Sequence, residues 1–461
     1  MVCFFYMFAT FKTHEKVIFK VLKNDNMNKL IGIRYEDKYL MERRVAIIPQ
    51  HVKKLVENDG LEILVEKSAK RIFTDEEFTA AGANVVDDVR KAPVIFGVKE
   101  MPIDYFEEGK TYIFFSHVIK GQSYNMPLLR RMIEKKVNLI EYEKVADETG
   151  KRLIFFGRFA GLAGMINSLW SFGMRMKEQG MDTPFLKIKQ SHKYNSLDEA
   201  RDVISKVGQE IAEKGLPEEI TPLVIGFTGY GNVSNGAQEI AALLPVKEVS
   251  PVELMELQER KDLPNNVVYK VVFEESDMAE PKDKGAEFEL QDYYNHPEKY
   301  NGIFEKYLPH LTILMNCMYW DERYDRIVTK DYLEKSYKNG NPKLKVIGDV
   351  TCDPDGSVEC THIGTAIEDP VFVYDPFTRQ PSMGFKGEGL LIMSVDILPS
   401  ELPRESSIAF SDALFKYIKE IAGADYSASF ENLGLPAPIK RALVLHNGEF
   451  TPDFEYIKEY L

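Results

Sequence analysis

The chain has 461 residues, with 44% hydrophobic and 28% charged side chains, too long for one ordinary core and too apolar to be a disordered chain. Its formal net charge is −14, from 72 acidic against 58 basic side chains with no long basic run, which argues against nucleic-acid partners. Four cysteines, Cys3, Cys317, Cys352 and Cys360, form no CxxC pair and suit a reducing compartment, read as the cytosol.

Residues 2–11 are apolar but lack a basic leader and fall short of a membrane span, so neither signal peptide nor anchor is expected and no membrane partner is assigned. Residues 1–27 are read as a disordered arm ahead of the first strand. From Leu30 short β-branched or aromatic runs alternate with amphipathic stretches, the pattern of an α/β layer structure. Strands are predicted at Leu30–Arg34, Glu62–Val65, Val94–Val98, Tyr112–Phe115 and Asn138–Tyr142. Helices are predicted at His51–Asn58 before Gly60, Asp75–Ala81 before Gly82, and Asn125–Lys136. Met165, Leu169, Phe172 and Met176 then fall at i, i+4, i+7 and i+11, predicting a long amphipathic helix that ends near Gly180 and joins two domains. Met165, Met174, Met176 and Met181 are read as core filler. A second strand–loop–helix series starts at Leu223, with a buried strand at Lys345–Val350. Leu390–Val395 and a helix over Glu405–Ile418 are read as the return to the first domain.

The run Leu223–Phe227 leads straight into Thr228-Gly229-Tyr230-Gly231-Asn232-Val233-Ser234, followed by a helical stretch to Leu244. One glycine for the tight turn and another where backbone approaches a pyrophosphate allow a helix N-terminus to point its N–H groups at phosphate. Ser234 replaces the third glycine of the general fingerprint, so the motif alone also reads as a tight turn without ligand. In such units a carboxylate about 20 residues onward, at the end of the second strand, accepts the ribose 2′-hydroxyl of NADH. The strand Val246–Val249 ends instead at Ser250, which favours NADPH; Glu248 and Glu253 keep NADH as the alternative.

In the first half, ionisable residues recur after strands: Glu42-Arg43-Arg44, Lys99, His117 and Glu143. The carboxyl ends of parallel strands form the ligand crevice, so these groups converge in space. Singly, each has a plainer explanation: solvated arginines, a snorkelling lysine, a strand-end carboxylate, a capping or core histidine. Together they suit joining an amine to a 2-oxo acid and reducing the imine, with Arg44 as carboxylate clamp and Lys99 and His117 as proton carriers. No His/Cys cluster has metal-ligand spacing, so no metal is expected.

The runs Glu42-Arg43-Arg44-Val45-Ala46-Ile47-Ile48-Pro49, Phe96-Gly97-Val98-Lys99, Phe114-Phe115-Ser116-His117-Val118-Ile119-Lys120-Gly121-Gln122 and Leu139-Ile140-Glu141-Tyr142-Glu143 carry a family likeness, as do Gly229-Tyr230-Gly231-Asn232-Val233-Ser234-Asn235-Gly236-Ala237, Gly348-Asp349-Val350 and Ser394-Val395-Asp396. With them the chain resembles lysine-ketoglutarate reductase, the reductase half of a bifunctional enzyme, within the alanine dehydrogenase and transhydrogenase group. The resemblance implies two doubly wound α/β domains, a Rossmann dinucleotide-binding domain over 158–357 inserted into a flavodoxin-like domain formed by 28–157 and 358–461. It implies NADPH-dependent condensation of L-lysine with 2-oxoglutarate to saccharopine. Lys99 and His117 are then the acid–base pair and Arg44 the substrate anchor, with Glu42 and Glu143 modulating charge. Gly229, Gly231, Asn232, Val233 and Ser250 are assigned to the cofactor, and Asp349 to a place near the nicotinamide. Nothing in the chain accounts for the second half of the bifunctional enzyme, so a separate saccharopine dehydrogenase is the implied partner; a homo-oligomer stays open. The rival readings are an NAD-dependent saccharopine dehydrogenase, an alanine-dehydrogenase-like enzyme and, from another class, a nucleotide-binding module without chemistry.

Overall fold

The computed structural model describes residues 28–461 apart from 258, 259, 261 and 341; the arm expected over 1–27 lies outside the described residues. The first unit runs β1 (Leu30–Ile33), α1 (Pro49–Asp59), β2 (Glu62–Glu66), α2 (Asp75–Ala80), β3 (Asn84–Val86), β4 (Val94–Phe96), β5 (Thr111–Phe114), α3 (Met126–Glu134) and β6 (Asn138–Glu141). Local chemistry sets its boundaries. Proline opens α1, and Gly60 closes it at φ 66°, its N–H returning to the Leu55 carbonyl. Thr74 and Glu77 form a reciprocal capping box on α2.

Two helices follow, α4 (Gly157–Glu178) and α5 (Leu197–Lys214). The second unit then comprises β7 (Leu223–Thr228), α6 (Asn232–Ala241), β8 (Val246–Glu248), α7 (Pro251–Leu257), β9 (Val268–Phe273), α8 (Glu275–Met278), β10 (Ala279–Pro281), α9 (Leu290–Asn295), β11 (Tyr300–Gly302), β12 (Ile313–Asn316), α10 (Lys330–Lys338), β13 (Val346–Asp349), β14 (Val371–Asp375), β15 (Gln380–Met383) and β16 (Leu390–Met393). The chain closes with α11 (Pro403–Gly423), α12 (Ala437–Arg441), β17 (Leu443–His446) and β18 (Glu449–Phe450).

The first sheet has the order β18-β17-β6-β5-β4-β1-β2-β3. Its strands β1 to β6 are parallel, and β17 and β18 return antiparallel along one edge. Without the short edge strand β3, the parallel core follows the flavodoxin-like order 2-1-3-4-5. The second sheet has the order β15-β14-β16-β13-β12-β7-β9-β8, parallel from β16 to β8. Apolar clusters cover both faces of each sheet, which is why central strands such as β4, β5, β6, β7 and β12 are buried along their whole length.

Two expectations are corrected. Leu390–Val395 does not rejoin the first domain: Val346 pairs with Leu391 and Gly348 with Met393, so the second sheet runs past residue 357 to Met393 and α11 makes the return. Its apolar residues find a ladder partner on the open side of β13. The helix over 157–178 is buried around most of its circumference rather than along one stripe, because both α6 and the second sheet pack on it. Met165 and Met176 lie in that core, as filler.

Candidate active site

At the end of β7, Gly229 turns at φ 78°, and its N–H donates to the Phe273 carbonyl at 3.1 Å. Gly231 precedes α6 without any side-chain cap, so the first N–H groups of that helix, from Asn232 and Val233 onward, remain available. A Cβ built on Gly231 would meet nothing within 4 Å: the backbone there faces open space that a side chain would fill. The turn borders a cavity of ≈ 320 Å³ lined by Tyr230, Glu275, Tyr294 and Tyr319 among others. A dinucleotide's phosphates fit this cradle, since bare backbone and a helix N-terminus are what they require.

The glycine responsible for close packing is not at the fingerprint's third position. Ser234 is buried and accepts a hydrogen bond from Gln238 Nε2, whereas Gly236 and Gly161 bring α6 and α4 into backbone contact. A Cβ on Gly161 would fall 1.9 Å from the Val233 carbonyl oxygen, and one on Gly236 would fall 2.1 Å from that of Arg158.

Ser250 does not stand where its assignment requires. It is exposed at the head of α7, with its N–H and hydroxyl donating to Glu253 Oε2 at 2.7 and 2.9 Å. The strand it follows, β8, is the sheet's edge, separated from β7 by β9. The residues flanking the glycine-rich turn are therefore Glu274 and Glu275, at the end of β9.

Asp349 closes β13, wholly buried. Its oxygens accept from Asn316 Nδ2 (2.8 Å), Thr351 Oγ1 (2.6 Å) and Thr361 Oγ1 (2.5 Å), and Asn316 Oδ1 accepts from Thr228 Oγ1 at 3.0 Å. The carboxylate thus ties the ends of β13, β12 and β7 together beneath the turn. Burial pushes its pKa up, against those hydrogen bonds.

The other charged assembly lies at the carboxyl ends of the first sheet. Glu36, just beyond β1, spans the gap to β4, accepting Val98 N–H at 2.7 Å and Lys99 N–H at 2.8 Å. Burial, reinforced by Glu42, pushes it up to about 7. Glu42 and Arg44 form a fully buried bidentate pair at 2.8 and 2.6 Å, with the guanidinium carbon 4.2 Å from the centre of the Phe156 ring. Burial works to raise Glu42, but Arg44 holds it below the ordinary carboxylate value. Arg44 is therefore partly committed within the protein; its Nη1 edge is the one without a hydrogen-bond partner among the described residues.

Burial first, then the charge of Arg44, lowers the Lys99 pKa, opposed by Glu100, Glu42 and Asp396. Glu100 is the hub: it accepts from His117 Nδ1 at 2.8 Å and pairs with Lys38 at 2.7 Å. Burial would raise it, yet those two partners hold it at about 2. As an ionised acceptor it places the proton on Nδ1 of His117, leaving Nε2 free of protein partners among the described residues. His117 adopts a left-handed φ of 56°, and its N–H donates to Glu141 Oε2. Glu141 also accepts from Ser116 N, Ser116 Oγ and Glu143 N, which fixes the loop after β5. Glu143 lies farther out, 4.0 Å from Lys120 and 3.8 Å from Arg152.

The structure thus brings Glu42, Arg44, Lys99 and His117 into one electrostatic network, and groups Gly229, Gly231, Asn232 and Val233 at the phosphate turn. Lys99 and His117 make no direct contact with that turn among the described residues. The two ends meet through Asp396, whose Oδ2 accepts from Tyr39 Oη at 3.4 Å and whose Oδ1 lies 3.8 Å from Cys352 Sγ. They meet again where Gly157, next to Phe156, lies against Asn232. Glu36, Glu100 and Glu141 were missed by sequence reasoning; the signal available was that each lies within four residues of a strand end. Among the described residues no helix is long and apolar enough to cross a membrane, and no group of three or more His, Cys, Asp or Glu is arranged to hold a metal ion.

Residues 32–163 match the family model described as alanine dehydrogenase/PNT, N-terminal domain. Alpha-aminoadipic semialdehyde synthase from Arabidopsis thaliana is 38% identical over 93% of this chain, and the mitochondrial protein of that name from Bos taurus is 34% identical over 93%. The chain spans 41% and 48% of the length of these two relatives. Saccharopine dehydrogenase [NAD(+), L-lysine-forming] from Yarrowia lipolytica is 29% identical over 86% of this chain and 93% of its own. In fold, an L-alanine dehydrogenase superposes with a TM-score of 0.60 at 18% identity, over 94% of this chain and 100% of that one. A transhydrogenase from Sinorhizobium meliloti gives 0.51 at 15% identity, over 92% and 100%. Residues 32–163 therefore match the alanine dehydrogenase/PNT N-terminal domain, in a chain with the alanine dehydrogenase fold that is similar along most of its length to alpha-aminoadipic semialdehyde synthases, in keeping with its resemblance to lysine-ketoglutarate reductase.

Proposed function

We propose that this chain is a nicotinamide-dependent oxidoreductase acting on a CH–NH bond, which condenses L-lysine with 2-oxoglutarate and reduces the imine to saccharopine. The observation that carries this reading is the Lys99–Glu100–His117 network beside Arg44, at the open ends of the first sheet and joined through Asp396 to the sheet that bears the phosphate turn. The names of the relatives, a semialdehyde synthase and a lysine-forming saccharopine dehydrogenase, support the substrate class.

In this reading the free Nη1 edge of Arg44 binds a carboxylate of the oxo acid. Lys99, held towards its neutral form by burial, takes a proton from the lysine ammonium so that the amine attacks the keto carbon. A proton of the attacking nitrogen passes to the former keto oxygen to give the neutral carbinolamine, and His117, as an imidazolium carrying protons on both Nδ1 and Nε2, delivers the Nε2 proton to the hydroxyl, which leaves as water as the C=N bond forms. Glu100 compensates the imidazolium charge, and Glu143 tunes the field from the rim. The bound dinucleotide supplies hydride to the imine carbon. Asp349 positions the strand ends under the turn rather than reacting. The fold puts Ser250 at the sheet edge away from the turn, so that residue no longer supports NADPH, which the resemblance alone now implies.

A saccharopine-consuming dehydrogenase is the partner this reading implies. Free thiols at Cys317, Cys352 and Cys360 support a reducing compartment, read here as the cytosol. The test is oxidation of reduced nicotinamide in the presence of lysine plus 2-oxoglutarate, with alanine replacing lysine in parallel. Turnover with lysine is expected; turnover with alanine alone, or with neither, overturns the proposal.

A further inference from the structure

We infer that the C-terminal 3₁₀ segment Pro452–Tyr460 is a strap that positions His117 for proton transfer, with Tyr456 and Tyr460 as its positioning residues. The inference rests on the role given to His117 above and deepens it. His117 heads a single helical turn, Val118–Lys120, which Gly121 closes at φ 65°. His117 itself stands at φ 56°, and a residue with a side chain keeps such left-handed backbone where its surroundings over-determine it.

On the upstream side those surroundings are the Glu141 carboxylate, which accepts the N–H groups of Ser116 and His117. On the downstream side the grip comes from the end of the chain. Tyr456 Oη donates to the Ile119 carbonyl at 2.8 Å. The Tyr460 ring lies over the bare Cα of Gly121: a Cβ built there would fall 2.5 Å from its Cγ and 2.6 Å from each Cδ.

The strap has its own anchorage. Thr451, immediately before it, donates its N–H to the Val444 carbonyl at 3.1 Å and its hydroxyl to the Leu443 carbonyl at 2.5 Å, which fastens it to β17. Phe454 and Ile457 are buried in the same apolar cluster as Val118 and Ile119. Tyr456 and Tyr460, by contrast, are 43% and 49% exposed, so they add little to that core. What they grip is the backbone that carries His117. The imidazole has to keep Nδ1 on Glu100 at 2.8 Å while Nε2 meets the substrate oxygen. A displacement of the turn by about 1 Å is enough to cost up to about 10²-fold in rate.

The test follows oxidation of reduced nicotinamide by the full chain with lysine plus 2-oxoglutarate. Tyr460→Ala is expected to lower kcat about tenfold or more while KM moves less than about threefold. Its melting temperature should stay within about 3 °C of wild type. Tyr460→Phe, which keeps the ring, should restore kcat, and Tyr456→Phe, which loses one hydrogen bond, should fall between the two. Hydrogen exchange read by mass spectrometry supplies a measure without turnover: the amides of residues 117–121 should exchange faster in Tyr460→Ala, with β5 and β6 as in wild type. Wild-type kcat in Tyr460→Ala, or a loss that Tyr460→Phe does not restore, overturns the inference and leaves the dehydrogenase reading standing. A wild type without turnover overturns that reading instead; exchange then decides the strap, and an unchanged turn overturns it too.

Discussion

At the open ends of the first sheet the working parts are the buried charges Glu36, Glu42, Arg44 and Glu141 and the half-buried Glu100, around Lys99 and His117, each ionised group answered by a partner or a backbone N–H. At the ends of the second sheet they are glycines, uncapped helix N–H groups and tyrosines, with Glu275 as the charged residue on the cavity wall. In the proposed function one side handles protons and so needs tuned side chains; the other holds a large ligand and so needs bare backbone. The two sides tolerate substitution in opposite ways.

The largest effect tests that division directly. Lys99→Met is expected to lower kcat by about 10²- to 10⁴-fold, the usual worth of a positioned acid–base group, with affinity for the reduced nicotinamide nucleotide by calorimetry unchanged. A parallel loss of affinity would break the separation, and full retained turnover would remove Lys99 from the chemistry. Next comes Gly161→Ala, which removes no reactive group. Its methyl would drive α4 from the Val233 carbonyl, and a loss of about 3 kcal/mol, with a melting temperature lower by about 5 °C or more, is expected. A variant that melts with wild type would show that the backbone contact is not needed.

The smallest effect concerns the charged side. The Glu36 carboxyl rises from its ordinary 4.5 to about 7 on folding, so the folded protein keeps a proton that the unfolded chain releases between those values. Its stabilising contribution is therefore complete below about 4.5 and is lost as pH rises through about 7. Glu36→Gln, which cannot ionise, should gain on wild type by about 2 °C or more in melting temperature between pH 6 and pH 8, whatever its offset at pH 6. A constant offset across that range would mean that Glu36 is already ionised at pH 6.

These contrasts also explain what was legible in the sequence. Strands β1, β2, β4, β5 and β6 and their helices were readable because β-branched runs alternate with local stop signals such as Gly60 and the Thr74–Glu77 box. The phosphate turn was readable because strand, glycines and helix are contiguous. Pairing between distant strands was not. β9 lies beside β7 although β8 precedes it in the chain, and β16 joins β13, so both the strand expected next to the glycine-rich one and the return point were misplaced. The antiparallel β17–β18 edge went unpredicted for the same reason. Glu36, Glu100 and Glu141 escaped because in sequence a carboxylate held by backbone N–H groups looks like any surface acid.

The three residues Phe156, Gly157 and Arg158 form a short lever between two grips. At one end the Phe156 ring bears on the Arg44 guanidinium; at the other, Gly157 and the Arg158 carbonyl are wedged against Asn232 and Gly236 at the head of α6. The head of α6 and the Arg44 guanidinium are thus joined by contacts only two peptide bonds apart, far less chain than the stretch from 44 to 232 that nominally separates them.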